Sequence, residues 1–63
     1  MGTAYALGMA EVYRRAGRQT LEAALLGHAL SMVDEATNPE QYAKVGDDLA
    51  AVEDELLERQ PRS

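Results

Sequence analysis

Few side chains in this sequence are able to do chemistry, and the single histidine is the first to consider. His28 shares one side of a helical segment with Met32 and Glu35, which outlines a metal site. The chain has no cysteine, however, and one histidine is a poor ligand set for a transition metal. We therefore predict that no metal is bound, and we interpret His28 as a helix-surface residue beside the core.

Nucleophilic catalysis, phosphate binding and calcium binding also lack the residues they need. Ser31 lies near His28, but no acidic residue is placed to orient that histidine. The five glycines are scattered and form no phosphate loop. The acidic residues near the end of the chain do not follow the pattern of a calcium-binding loop. They are Asp47, Asp48, Glu53, Asp54, Glu55 and Glu58. We predict that the protein is not an enzyme, has no catalytic residue and binds no cofactor.

Charge is divided unevenly along the chain, whose formal net charge is -5. Residues 1–32 carry three arginines against two glutamates, whereas residues 33–63 carry nine acids against three basic residues. An acidic chain repels phosphate, so we do not expect nucleic-acid binding. The basic group Arg14, Arg15 and Arg18 has three interpretations: solubility with helix-end electrostatics, docking of the acidic third segment within the fold, or recognition of a partner's carboxylates or phosphates.

The length of 63 residues limits the chain to one domain with a small core. Without Trp, Phe or disulfides, such a core contributes only about 3–5 kcal/mol, so we expect self-association or docking on a partner. No apolar run approaches the roughly 18 residues of a membrane span. The first residues lack the basic flank and long apolar core of a signal peptide. We expect a soluble, cytoplasmic protein with no membrane partner.

The strongest helical periodicity lies between Asn38 and Arg59. Asn38 is suited to cap this helix and Pro39 to occupy its first position. Its larger apolar residues recur at spacings of three and four, as Tyr42, Val45, Leu49, Val52 and Leu56. We interpret this stripe as a helix-packing surface centred on Leu49. The sequence leaves open whether it is internal core or a docking surface for a partner.

Two further helices precede this one. The first has an apolar side, in which Gly8 is expected to permit close helix contact, and Gly17 is placed to cap its end. Thr20 is a candidate cap for the second, whose broad apolar face predicts contact with two neighbours. The predicted fold is all-α: a single domain over 1–63, with helices at about 3–16, 20–36 and 39–59 and a tail at 60–63. Short loops favour an up-down three-helix bundle or a helical hairpin with an added helix, in an oligomer.

The first two helices carry a pattern of small, aromatic and glycine residues that continues into an Ala-Leu pair. Its positions are Ala10, Tyr13, Gly17, Leu26, Ala29 and Leu30. This pattern resembles a tetratricopeptide repeat, a helix-turn-helix unit of about 34 residues, over about half of the chain. Glu22 stands where the pattern has a small residue. One repeat does not normally stand alone, so the resemblance implies stacking on copies of the chain or on another protein.

The resemblance also implies where a partner binds. In that family the outer face of the first helix commonly meets the partner, which corresponds here to Leu7, Glu11, Arg14 and Arg15. Arg18 extends the same basic group into the turn. We therefore predict a non-catalytic protein–protein interaction module, either an oligomerising adaptor or a small accessory subunit of a larger complex. Its partner is another protein, a further copy of itself, or both.

Two other classes of protein remain open. The residues from Ser31 to Glu35 look like the Ser-to-Glu spacing of antitoxins that restrain Fic-type AMP transferases, although Ala36 replaces the Gly or Asn of that motif. An antitoxin-like inhibitor of a partner enzyme is therefore one alternative. A helix-turn-helix DNA-binding protein is the least favoured, because the second helix, from Leu21 to Leu30, is too apolar to present a polar reading face.

Overall fold

The computed structural model describes residues 2–59 of the chain. It contains three helices, which are α1 (Thr3–Arg15), α2 (Gln19–Met32) and α3 (Pro39–Arg59). No strand is present among the described residues, so the prediction of an all-α chain with three helices is confirmed. The predicted tail, 60–63, lies outside the described residues.

A glycine turn joins α1 to α2, as predicted. Gly17 has a φ of 74°, a backbone conformation that glycine adopts without steric cost. Its N–H donates to the Arg14 carbonyl at 3.1 Å, and the Arg18 N–H donates to the Tyr13 carbonyl at 2.8 Å. These two hydrogen bonds satisfy carbonyl groups of the last turn of α1 and so cap the helix. The helix ends at Arg15, one residue earlier than expected.

The start of α2 differs from the prediction by one residue. The helix begins at Gln19, so Thr20 lies inside it and does not cap it. Arg18 occupies the capping position without a side-chain hydrogen bond, and its carbonyl accepts the Glu22 N–H at 3.0 Å. Because the glycine turn is so tight, the first turn of α2 starts directly after it.

The end of α2 lies at Met32, and the predicted end at residue 36 is wrong. Val33 is extended, with ψ of 129°. The Asp34 carboxylate accepts the Ala36 N–H at 2.9 Å, and the Asp34 carbonyl accepts the Asn38 N–H at 2.8 Å. An aspartate that bonds its own following backbone competes with helix formation, and here that local turn replaces the last predicted helical turn.

At α3 the helix covers Pro39–Arg59, the range expected from the sequence. Asn38 holds the capping position, where its carbonyl accepts the Tyr42 N–H at 3.0 Å. Its side-chain amide donates to the Thr37 hydroxyl at 3.3 Å. Proline is favourable at the first position of a helix because its missing N–H would have no partner there.

The central helix carries the fold. α2 packs against both α1 and α3, as its broad apolar face predicted, whereas no Cα atom of α1 comes within 8 Å of one in α3. The arrangement is therefore a helical hairpin with an added helix and not a closed three-helix bundle. α1 and α3 stand apart, and each is supported by α2.

Small side chains let α1 and α2 approach closely. Ala6 and Ala10 of α1 and Ala29 of α2 are all buried, and Leu26 is the largest side chain in the buried core. Gly8 does not have the expected role in this contact. It is exposed, and a Cβ atom built on it would meet nothing within 4 Å.

The apolar stripe of α3 lies against this core. Val45 and Val52 are buried, at 3% and 7% exposure. Leu49 and Leu56 are half-buried and pack against the core, and Tyr42 is half-buried. In the single chain the stripe is thus an internal packing surface, deepest at the two valines and shallower at Leu49, which the sequence placed at its centre.

Candidate functional site

A groove runs between α1 and α3, with α2 beneath it. Its volume is about 930 Å³, and all three helices contribute side chains to it. The groove is lined by Leu7, Ala10, Glu11, Arg14, Gly17, Gln19, Glu22, Leu26, Gln41, Lys44, Val45, Asp48, Ala51, Val52, Glu55 and Arg59. The separation of α1 from α3 is what leaves this surface open.

The bottom of the groove is apolar. Ala10, Leu26, Val45 and Val52 line it, and each of them is at most 7% exposed. They come from all three helices, so the floor depends on the complete fold. A shallow apolar surface with charged walls is suited to burying the apolar side chains of a bound molecule.

The α1 wall carries a network of three charges. Arg14 Nε donates to Glu11 Oε2 at 2.8 Å, with a second bond from its terminal nitrogen, and Arg15 Nε donates to Glu11 Oε1 at 3.1 Å. The hydrogen bonds from Arg14, and then from Arg15, lower the pKa of Glu11 to about 2. The three side chains are largely exposed, so their net contribution to stability is small.

The α3 wall is acidic and touches the start of α2. Lys44 Nζ lies 3.4 Å from Asp48 Oδ2, an ordinary pair along the helix. Glu55 Oε2 accepts a hydrogen bond from Gln19 Nε2, which ties the first turn of α2 to the last turns of α3. Gln19 Oε1 is buried and has no hydrogen-bond partner.

Glu22 is the buried charged residue of the groove. It is only 5% exposed, and no described residue gives its carboxylate a hydrogen bond or an ion pair. Burial raises the pKa of Glu22, with Arg14 across the groove acting in the opposite direction. An unpaired carboxylate in such a place costs folding free energy, and groups with perturbed pKa values concentrate at functional sites.

The structure brings together part of the predicted partner-binding set. Three of the five predicted residues line the groove, and these are Leu7, Glu11 and Arg14. Arg15 is exposed on α1 and is joined to the groove through its bond to Glu11. Arg18 does not line the groove itself but an adjoining shallow hollow, which shares Gly17, Gln19 and Arg59 with it.

Gln19, Glu22 and Glu55 were not among the predicted site residues. Glu22 had one signal in the sequence, because it replaces a small residue of the helical-repeat pattern. Gln19 and Glu55 had none, since they are 36 positions apart and meet only after α3 has folded back along α2.

Other kinds of site find no support in the part of the chain that the structure describes. His28 is exposed and does not line the groove. Residues 2–59 contain no group of three or more His, Cys, Asp or Glu side chains placed to hold a metal ion. None of the three helices combines the length and the apolar character needed to cross a membrane.

Comparison with known proteins yields no relative: the chain matches no protein-family model, no curated protein and no solved structure.

Proposed function

We propose that this protein is a non-catalytic protein–protein interaction module that binds an amphipathic helix of a partner in the groove between α1 and α3. The observation that supports this proposal is the separation of the two outer helices above a shared apolar floor. Amphipathic helices bind such grooves through apolar anchors spaced three and four residues apart. Half-buried Leu7 and exposed Ala51 offer apolar surface for those anchors, above a floor that includes Leu26 and Val52. The role is that of an adaptor or of a small accessory subunit.

Charge favours a basic partner helix. Glu11 is occupied by two arginines and Asp48 by Lys44, whereas no cation is paired with Glu22 or Glu55 among the described residues. Opposite charges across an interface speed association and reject wrong partners. A partner helix with arginine or lysine beside its apolar anchors would therefore complement the groove.

Site-specific crosslinking tests this use of the groove. Ala51 lines the groove, while its neighbour Ala50 is exposed and does not. We would place a photo-reactive amino acid at each position in turn, in the cells that naturally make the protein, and identify the crosslinked proteins. We expect a discrete partner from position 51 and little from position 50, with circular dichroism establishing that both variants fold. Equal crosslinking from the two positions would contradict the proposal.

Self-association is the second part of the proposed function. Tyr5 and Val12, seven residues apart on one side of α1, are 61% and 55% exposed, and Leu57 of α3 is 65% exposed. A second copy would cover this apolar surface. We expect sedimentation equilibrium at micromolar concentration to give a mass above the 6.9 kDa of one chain, and Val12→Lys to shift it towards that value. A stable, cooperatively folded monomer at that concentration would rule out the oligomer.

A further inference from the structure

We propose that one end of the groove, formed by Gln19, Glu22 and Glu55, is a binding site for an arginine side chain of the partner helix. This inference rests on the proposed function and specifies the chemistry of the partner. The three residues line the same groove and come from the first turn of α2 and the end of α3.

Hydrogen-bond acceptors without donors define the site. Glu22 is only 5% exposed, and its carboxylate has no hydrogen-bond or ion-pair partner among the described residues. Gln19 Oε1 is buried and has no partner, because the amide nitrogen of the same side chain donates to Glu55. The Glu22 and Glu55 carboxylates and this amide oxygen line the same groove, and the Gln19 amide nitrogen is the one donor that the three side chains contain. Glu55 is exposed, so the acceptors with least access to water are Glu22 and Gln19 Oε1, and these gain most when a ligand supplies the missing hydrogens.

Two cations of the groove walls, Arg14 and Lys44, are already engaged. Arg14 donates twice to Glu11, so it affects Glu22 only through its field across the groove. Lys44 is paired with Asp48 on the α3 wall of the groove. Arg18, next to Gln19, and Arg59, which lines the groove, form no ion pair with Glu22 or Glu55 among the described residues. The Glu22 carboxylate is therefore left for a cation of the partner.

A guanidinium matches these acceptors better than an ammonium does. It presents five N–H donors in a plane, so two can meet the Glu22 carboxylate while others reach Glu55 and Gln19 Oε1. It is also less strongly hydrated than an ammonium, so less is lost when it enters a buried position. The aliphatic part of the side chain would lie over the apolar floor at Leu26 and Val52.

Nuclear magnetic resonance titration of the full chain tests the site directly. The probe is N-acetylarginine methylamide, followed through the side-chain amide signals of Gln19 and the backbone signals of Glu22 and Glu55. The neutral isostere N-acetylcitrulline methylamide and the Nα-acetyl methylamide of lysine are the comparison probes. We expect saturable shifts at these three residues, with an affinity for the arginine probe about tenfold above the citrulline probe and about threefold above the lysine probe.

Two matched variants separate this site from general attraction to an acidic protein. Glu22→Gln should weaken the arginine probe by about tenfold, because it removes the buried charge. Glu53→Gln makes the same change of charge on an exposed part of α3 that does not line the groove, and it should leave the affinity unchanged within twofold. Thermal melts of Glu22→Gln should be at or above those of the parent, so that unfolding does not explain the loss.

The inference would be overturned by shifts that do not saturate or by equal affinity in Glu22→Gln and the parent. Equal affinity for the lysine probe would overturn the assignment to arginine. The test is separable from that of the proposed function. Crosslinks concentrated at position 51 with unaltered binding in Glu22→Gln would preserve the groove as a docking surface and remove the arginine site. Arginine binding that is lost in Glu22→Gln, without crosslinks at position 51, would support the site and remove the proposed function.

Discussion

Glu11 and Glu22 line the same groove, yet their surroundings shift their pKa values in opposite directions. Hydrogen bonds from two arginines lower the pKa of Glu11 to about 2. Burial raises the pKa of Glu22, and the groups that face it are mostly acids, Glu55, Glu11 and Asp48, with Arg14 as the counter-charge. Because their pKa shifts are opposite, these two carboxylates should contribute oppositely to the pH dependence of folding stability.

The pH dependence of stability can be measured with two single variants. The folded chain holds the Glu22 proton more tightly than the unfolded chain, so this residue lowers the unfolding free energy as pH rises from about 4.5 through its folded pKa. Glu11 stabilises above about 4.5, and its contribution is lost as pH falls towards 2. We expect Glu22→Gln to gain thermal stability over the parent at pH 7 but not at pH 4. Glu11→Gln should lose stability at pH 7 and match the parent near pH 2.

Glu53→Gln provides the control for these melts, because it removes one negative charge from an exposed position outside the groove. If Glu22→Gln and Glu53→Gln follow the same pH profile, Glu22 is solvated in solution and the buried position assigned to it is wrong. If Glu11→Gln follows the parent down to pH 2, its arginine contacts add nothing to the folded state.

At the scale of single elements, two glycines of the α1 hairpin should respond oppositely to alanine. Gly8 is inside α1 with open space around its missing Cβ, so Gly8→Ala should stabilise by about 1 kcal/mol. Gly17 has a φ of 74°, so Gly17→Ala should destabilise by about 1–2 kcal/mol. Urea unfolding of both variants is the measurement. A destabilising Gly8→Ala would indicate that another copy covers this side of α1, where Tyr5 and Val12 are exposed.

The elements differ in how far the sequence defines them. Pro39 and the regular apolar stripe define α3, because the helix-start signal and the periodicity agree. Gly17 marks the first turn, because the positive φ there favours glycine. Val33 continues the apolar pattern of α2, so nothing in the periodicity indicates that the helix stops before it. The end of α2 depends on Asp34, whose carboxylate can either accept a backbone hydrogen bond in the following turn or point into water. Sequence alone does not distinguish these two states.

The groove was less predictable than the helices. Leu7, Glu11 and Arg14 were identified through the helical-repeat resemblance, which assigns a partner to one face of the first helix. Glu22 looks like an ordinary solvated acid, because its burial arises from the two helices that flank α2. Gln19 and Glu55 form their contact only when both ends of a long antiparallel pair are aligned. Neither feature is encoded in local spacing.

For the whole molecule, Leu26 should be the most sensitive position. It is 5% exposed and is the one buried apolar residue larger than valine among residues 2–59, on the helix that supports both others. Leu26→Ala should cost about 2–5 kcal/mol, which is comparable with the entire stability expected of a core this small. We expect the variant to be unfolded or to melt far below the parent in circular dichroism. Glu53→Ala, at an exposed site outside the groove, should change stability by less than about 0.5 kcal/mol.

A Leu26→Ala variant that melts like the parent would mean that α2 is not the support of the fold. The overall dimensions agree with that role. The chain extends over 42 × 21 × 15 Å along its principal axes. Its radius of gyration is 12.2 Å, against about 11 Å for a compact chain of this length. The chain is thus elongated, and much of each helix remains exposed.

No Cα atom of α1 lies within 8 Å of one in α3, so each closely packed pair of helices is also a pair of neighbours along the chain. Close packing does not have to wait for the two outer helices to find each other, so the loop-closure entropy opposing each step is small. Chains with such local contacts fold on the microsecond-to-millisecond scale. Assembly has two routes, through the α1–α2 hairpin or through the α2–α3 pair, and both converge on α2. The same linear order lets one outer helix detach while the other stays docked, so amide hydrogens of α1 and α3 are expected to exchange with solvent sooner than those of α2.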